Sequence, residues 1–188
     1  MAGVAAALAA ARCGAKVILC QDRPVLGGNA SSEIRMHIVG ADCSGGRGIP
    51  LETEAREGGI IEEIRLENAV NNPQRSPSVL DLILYDACRR EPNVTLLLNT
   101  VITGCKQGDG RIRSVTAENF QAEKSFEIVA EVYIDCTGDG ELGLLAGADY
   151  REGREASVEF SESFADPRAD GKRLGSSLMF QTRYHDQP

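Results

Sequence analysis

Tryptophan is absent from these 188 residues and aromatic side chains make up only 5% of them, so a core must be built from aliphatic residues and alanine. The apolar share of 42% and charged share of 26% nevertheless lie near globular averages, which argues against disorder. No basic surplus exists: 20 lysines and arginines face 28 acidic residues, for a net charge of -8. A surface that tracks phosphates needs clustered cations, so no nucleic-acid partner is expected. No Cys-x-x-Cys pair occurs among Cys13, Cys20, Cys43, Cys88, Cys105 and Cys136. Thiols scattered through apolar stretches behave as small hydrophobes, so they are read as reduced and cytosolic, with no metal ligands among them. A bilayer span is missing too. The run Ala2 to Ala11 falls well short of the roughly 20 apolar residues a span requires, and no lysine or arginine precedes it. Neither a membrane helix nor a signal peptide is expected, and the chain is placed in the cytoplasm. Its length suits one large domain, or one and a half small ones, with no need of disulfides.

What is present begins abruptly with MAGVAAALAAARCGAKVILCQD. The alanine-rich stretch from Ala2 to Arg12 favours helix, and Gly14 can take the left-handed conformation that stops it. Lys16 to Cys20 is a short β-branched apolar run, as in a parallel strand covered on both faces. Gly27 and Gly28 then mark irregular backbone, after which SEIRMHIV alternates with period two and predicts a strand with Glu33, Arg35 and His37 on one face. The charged, glycine-rich stretch from Gly40 to Glu57 reads as a long loop. Helices are predicted from Gly58 to Asn68 and from Ser76 to Glu91, the second with Ser76 as cap and Pro77 as first residue. The segments VTLLLNTVITGC, RIRSVTAENF and FEIVAEVYIDC, separated by turns, predict an antiparallel three-stranded meander over about residues 99–133. A glycine turn and the helix-like ELGLLAGA follow, and the tail from Arg151 holds one further strand candidate, SSLMFQTRY.

In a dinucleotide-binding fold, the first strand leads into Gly-x-Gly-x-x-Gly. The third glycine lets the helix pack close to the sheet, and an acidic residue about 20 positions later binds ribose hydroxyls. Gly3 fits that third position, and Gln21 and Asp22 follow the second strand at nearly that distance. Gln21 can accept a hydroxyl hydrogen bond without charge assistance, and Asp22 can share the task. Taken alone, one glycine before an alanine helix also describes ordinary close packing.

The stretch QDRPVLGGNASSEIRMH, an amide or acid followed by Arg23-Pro24 and then the twin glycines, resembles the second-strand exit of FAD-dependent oxidoreductases with a glutathione-reductase-like FAD domain. The stretch EVYIDCTGDGELGLLAGA is similar to the same family's later glycine turn, with Cys136 where alanine is usual. Twin glycines allow backbone N–H groups to approach a pyrophosphate or flavin, and Asn29 and Ser31 add neutral donors. The resemblance implies FAD as cofactor, and an α/β fold with a Rossmann-like FAD-binding domain over residues 1–150 interrupted by the meander. It implies that Thr137, Gly138 and Asp139 lie near the FAD phosphates and ribityl chain, and that Val101 meets the adenine through its backbone. It also implies that the first strand and first two glycines are missing, which weakens FAD binding, and that 151–188 begin a truncated substrate domain.

For the chemistry, the resemblance puts the flavin near Arg35 and His37. Arg35 would stabilise negative charge on a reduced flavin and His37 would serve as acid or base. A solvated strand edge accounts for the same residues. Arg47 and His185 are read as solvated and Cys43, beside Asp42, as inert. The expected function is hydride transfer from a C–H bond of a small organic substrate, a carbohydrate or organic acid, to FAD. The alternative is a nucleotide-binding module without turnover, or an inactive fragment. The oligomeric state is not readable.

Overall fold

A computed structural model describes residues 1–38, 57–175 and 182. The expectations for the Gly40 to Glu57 loop with Asp42, Cys43 and Arg47, for SSLMFQTRY and for His185 fall, but for Glu57 and Thr182, outside the described residues.

Helix α1 (Ala2–Arg12) buries Val4, Ala7, Leu8 and Ala11, the i, i+3, i+4, i+7 stripe of a helix with one covered face. Strand β1 (Val17–Cys20) follows. Helices α2 (Gly59–Asn71) and α3 (Pro77–Arg90) then lead to strand β2 (Val94–Leu97), which runs parallel to β1 with Val17 opposite Val94 and Cys20 opposite Leu97. Proline begins α3 as predicted, since its missing N–H would find no partner in the first turn anyway. Val4, Leu8, Leu26, Ile64, Leu84 and Cys88 form the main core between the helices and this parallel pair. At the outer end of α1, Arg12 reaches both carboxylate oxygens of Glu63 at 2.6 and 2.7 Å and Glu91 at 2.6 Å, tying three helices at an exposed corner.

The second sheet is antiparallel, with β3 (Val101–Gly108), β4 (Arg111–Asn119) and β5 (Lys124–Ile128) in that order. Asp109 and Gly110 form the β3–β4 turn, both with positive φ, 52° and 70°. That backbone twist matches the flanking strands and explains the Asp-Gly pair. Val115, Ala117 and Ile128 make a second core with Leu142 of α4 (Glu141–Leu145), and Cys20 and Leu97 pack against it from the parallel pair. The parallel strands therefore have both cores against them, although Ile18 remains 47% exposed, contrary to complete coverage. Helix α5 (Ser157–Phe160) follows in the tail, where Arg154 and Asp170 exchange backbone hydrogen bonds at 2.9 and 3.0 Å.

Three sequence expectations are corrected. SEIRMHIV forms no strand through Ile38, because residues 32–34 turn and Arg35 takes a left-handed φ of 65°, which breaks the period-two alternation. The apolar run from Val94 to Cys105 is two strands in two sheets. Asn99 interrupts it with a φ of 51°, and the Thr100 side chain turns back to the Leu98 carbonyl at 2.9 Å. The last meander strand stops at Ile128 rather than running to Cys136. There the Tyr133 hydroxyl accepts from the Ala130 amide at 2.9 Å and lies 3.2 Å from the Arg113 and Ile128 carbonyls. A phenol thus occupies the place of the next backbone pairing.

Leu8 is fully buried on α1 whereas Leu82 is 62% exposed on α3. Leu8→Ala is expected to destabilise the protein by about 2–5 kcal/mol through lost burial and the cavity left behind. Leu82→Ala should stay within about 0.5 kcal/mol of the parent. Urea denaturation followed by circular dichroism measures both.

Candidate functional site

Three segments that are distant in sequence meet at the first turn of α1. A methyl group added at Gly3 would stand 3.3 Å from Cys136 Cβ and 3.6 Å from Leu19 Cδ1. A side chain here would crowd Cys136, so the glycine lets the helix pack close, the packing role the spacing predicts for Gly3. Two residues earlier, the Met1 nitrogen donates to the Gly27 carbonyl at 3.1 Å. The helix start thus touches the twin-glycine loop on one side and the turn after the meander on the other. No side chain among the described residues caps the amides of this first turn, and their partial positive charge suits an anion.

The twin glycines serve different ends. Gly27, with a φ of 109°, is buried, and a Cβ there would stand 2.9 Å from Leu84 Cδ1. Its smallness is used inward, against α3. Gly28, with a φ of 59°, has nothing among the described residues within 4 Å of its Cβ position, which leaves its backbone open on the side they define, and Asn29 beside it is exposed. The chain continues through a single 3₁₀ turn, Gly28–Ala30. Ser31 is only 1% exposed, and its hydroxyl oxygen accepts from the Glu33 amide at 3.3 Å. It shapes the loop from inside. Arg23 closes the neck of the same loop by a bidentate pair with Glu33, at 2.8 to 3.1 Å.

At the strand exit, Gln21 Nε2 donates to Asp22 Oδ1 at 3.1 Å, which among the described residues leaves the amide oxygen of Gln21 and the second oxygen of Asp22 to accept from hydroxyl donors. The Thr100 amide donates to the Gln21 carbonyl at 2.9 Å and the Asn99 amide to the Arg23 carbonyl at 3.2 Å. These bonds bring the start of β3, with Val101, beside Gln21 to Arg23.

The turn Thr137–Gly140 is organised by Asp135, a residue whose role the sequence reading missed. Asp135 Oδ1 accepts from the Thr137 amide at 2.9 Å and hydroxyl at 2.7 Å, while Oδ2 accepts from the Gly143 amide at 3.0 Å. Thr137 Oγ1 in turn accepts from the Gly140 and Glu141 amides, both at 3.1 Å. Asp135 is exposed, and the slight desolvation its turn imposes opposes ionisation. The bonds from Thr137 and from the Gly143 and Leu142 amides outweigh it and hold the carboxyl below the ordinary aspartate range. Gly138 and Gly140 have φ of 94° and 74° with open space at their Cβ positions, and Asp139 between them is exposed. The readable signal was an aspartate two residues before a threonine that opens a glycine turn, the pattern of a side chain folding back on its own backbone.

Arg35 and His37 are both exposed, and the left-handed turn at Arg35 separates them instead of aligning them on a strand. Arg35 Nε donates to the Ser32 carbonyl at 3.1 Å, which holds its stem against the loop. Cys88 is buried and Cys20 and Cys105 are half-buried, as expected of small hydrophobes, whereas Cys13 and Cys136 are exposed, contrary to that expectation. Burial pushes Cys20 up to about 11, and burial together with Glu91 does the same to Cys88. The described cysteines are all free, and no group of three or more His, Cys, Asp or Glu among the described residues is placed to hold a metal.

Open glycine backbone, an uncapped helix start and neutral donors form a set suited to a bulky anion that carries hydroxyl groups, and a dinucleotide meets that description. The family model described as FAD dependent oxidoreductase matches residues 1–187. No curated protein and no solved structure matches the chain.

Because the folded Asp135 carboxyl is depressed, its contribution to the turn is complete above about pH 4, the ordinary aspartate range. It is lost as pH falls through the lower folded value. Protection of the Gly143 amide against hydrogen exchange, corrected for its intrinsic rate, is expected to drop in that acid window. In Asp135→Asn, which replaces an acceptor by a donor facing Gly143, protection should be weak already at pH 7 and show no acid step.

Proposed function

The chain belongs to the FAD-dependent oxidoreductase family, and on that premise we propose that residues 1–150 are its Rossmann-like FAD-binding unit and that 151–188 begin the substrate domain. The cofactor is FAD. The observation that carries this reading is the convergence of the twin-glycine loop and the Thr137–Gly140 turn on the first turn of α1. It is supported residue by residue. Gly3 allows the convergence, the Gly28 backbone and Asn29 donate to the pyrophosphate, and Gly27 and Ser31 keep that backbone in place from below. Asp22 and Gln21 accept from the ribose hydroxyls of the adenosine half, with Val101 alongside the adenine and Arg23 closing the loop neck through Glu33. Thr137, Gly138 and Asp139 face the ribityl and phosphate end.

A net charge of -8 is no obstacle to an anionic cofactor here. The amides of a helix start and of glycine turns supply positive potential that needs no side-chain cation, while Arg23 is neutralised by Glu33.

Bound FAD supplies the hydride acceptor for a C–H bond of a small organic substrate, of the carbohydrate or organic-acid class. Arg35 contributes positive charge beside the ring, and His37 takes the proton that leaves the substrate heteroatom. Both come from the segment that follows the twin-glycine loop, and Arg35 is held against it through the Ser32 carbonyl.

Purified protein titrated with FAD is expected to quench flavin fluorescence and to take on a flavin absorption spectrum, and substrate of the stated class should bleach it without oxygen. Asp22→Ala should weaken FAD binding about 10-fold or more, the scale of a hydrogen bond to a charged group. Arg35→Ala should slow bleaching while leaving affinity nearly unchanged. Protein that stays colourless with added FAD contradicts the reading, and protein that binds FAD but is bleached by no such substrate is a nucleotide-binding module.

A further inference from the structure

We propose that Asp81 is a positioning residue for FAD: from the middle of α3 it fixes the twin-glycine loop that presents Gly28 and Asn29 to the cofactor. The inference rests on the FAD site described under Proposed function.

Asp81 occupies a core position. It is 9% exposed and shares a helical stripe with Leu84 and Cys88, both fully buried, where periodicity calls for an apolar side chain. Burying a carboxylate is unfavourable unless it is well bonded. The bond it makes among the described residues is with the Ser32 amide, which donates to Asp81 Oδ1 at 2.9 Å across 49 positions of sequence. One turn along the same face, Leu84 Cδ1 is the atom that a Cβ at Gly27 would meet at 2.9 Å. Helix α3 therefore grips the loop at both ends, by contact at Gly27 and by a charge-assisted bond at Ser32. Between these grips lie Gly28, Asn29, Ala30 and Ser31, the stretch whose backbone faces outward at Gly28.

A carboxylate has the wrong sign to touch a pyrophosphate, and its burial keeps it from doing so. Its effect on the cofactor passes through the loop. A leucine would satisfy the stripe and avoid the burial penalty, so the acid at this position answers to the loop and not to the packing of α3.

The test uses the full 188-residue chain and three variants. Each is measured for FAD affinity by fluorescence quenching, for thermal melting without FAD, and for hydrogen exchange at the Ser32 amide. Asp81→Asn keeps an oxygen acceptor and should stay within about 3-fold of the parent in FAD affinity, whereas Asp81→Ala should lose about 10-fold or more. Asp81→Leu is the decisive variant: it should melt at or above the parent temperature, expose the Ser32 amide to exchange, and still bind FAD about 10-fold or more weakly. A merely structural acid would not separate melting from affinity in this way. Asp81→Leu with parental FAD affinity, or with parental Ser32 exchange, overturns the proposal, as does a loss of affinity that only tracks a loss of melting temperature. A parent chain that fails to bind FAD overturns the FAD reading itself, and the cofactor role of Asp81 with it. Ser32 exchange in the same variants then reports whether Asp81 orders the loop, which separates the two failures.

Discussion

At Gly3 the backbone of α1 approaches Cys136 and Leu19 so closely that one methyl group would fall 3.3 Å from the first and 3.6 Å from the second. The helix can settle there because its inward stripe is made of small and aliphatic residues, Val4, Ala7, Leu8 and Ala11. From that seat the rest follows in order. The helix covers the β1–β2 pair, its start reaches the Gly27 carbonyl, and the turn after the meander is drawn to the same point. A bulkier residue at Gly3 would part these segments before any cofactor contact was made.

Carboxylates act here mainly as scaffolding. Glu33 holds Arg23 across the loop neck, Asp81 holds the Ser32 amide from beneath, and Asp135 gathers Thr137 and Gly143 around one turn. Each is turned toward N–H or guanidinium groups of its own chain, so much of the acidic surplus near the site is locally compensated. What remains outward is backbone at Gly28, Gly138 and Gly140, beside the exposed carboxylates of Asp22 and Asp139. The chain thereby presents partial positive charge within a strongly acidic molecule, a combination that net charge alone does not disclose.

The sequence was most legible where one local rule acts without competition. The alanine-rich helix Ala2–Arg12, the Pro77 start of α3 and the turn between the first two meander strands are all local, and each appears as expected. Legibility failed where alternation was the only signal. Residues 33–37 alternate, yet Arg35 turns left-handed and Glu33 is taken by Arg23. Apolar continuity misled in the same way at Leu98 to Thr100, where asparagine and threonine bond to their surroundings and pass the chain from one sheet to another. Of the residues that shape the site, Asp135 carried a local pattern that could have been read. Asp81 carried only an acid in an apolar stripe, and its partner lies 49 positions away, beyond any window of periodicity.

The exchange of a backbone partner for the Tyr133 hydroxyl has a consequence for how the protein behaves in company. Beyond Ile128 the chain displays Val129, Val132 and Ile134, exposed by 74%, 74% and 62%, a β-prone apolar stretch of the kind that nucleates intermolecular ladders. Glu127 is neutralised by Lys106 at 2.7 Å, and the Asp135 carboxylate is committed to its own turn. Glu131 is left as the gatekeeper of this stretch, a single charge at the point where the phenol has already denied an incoming strand its first hydrogen bonds.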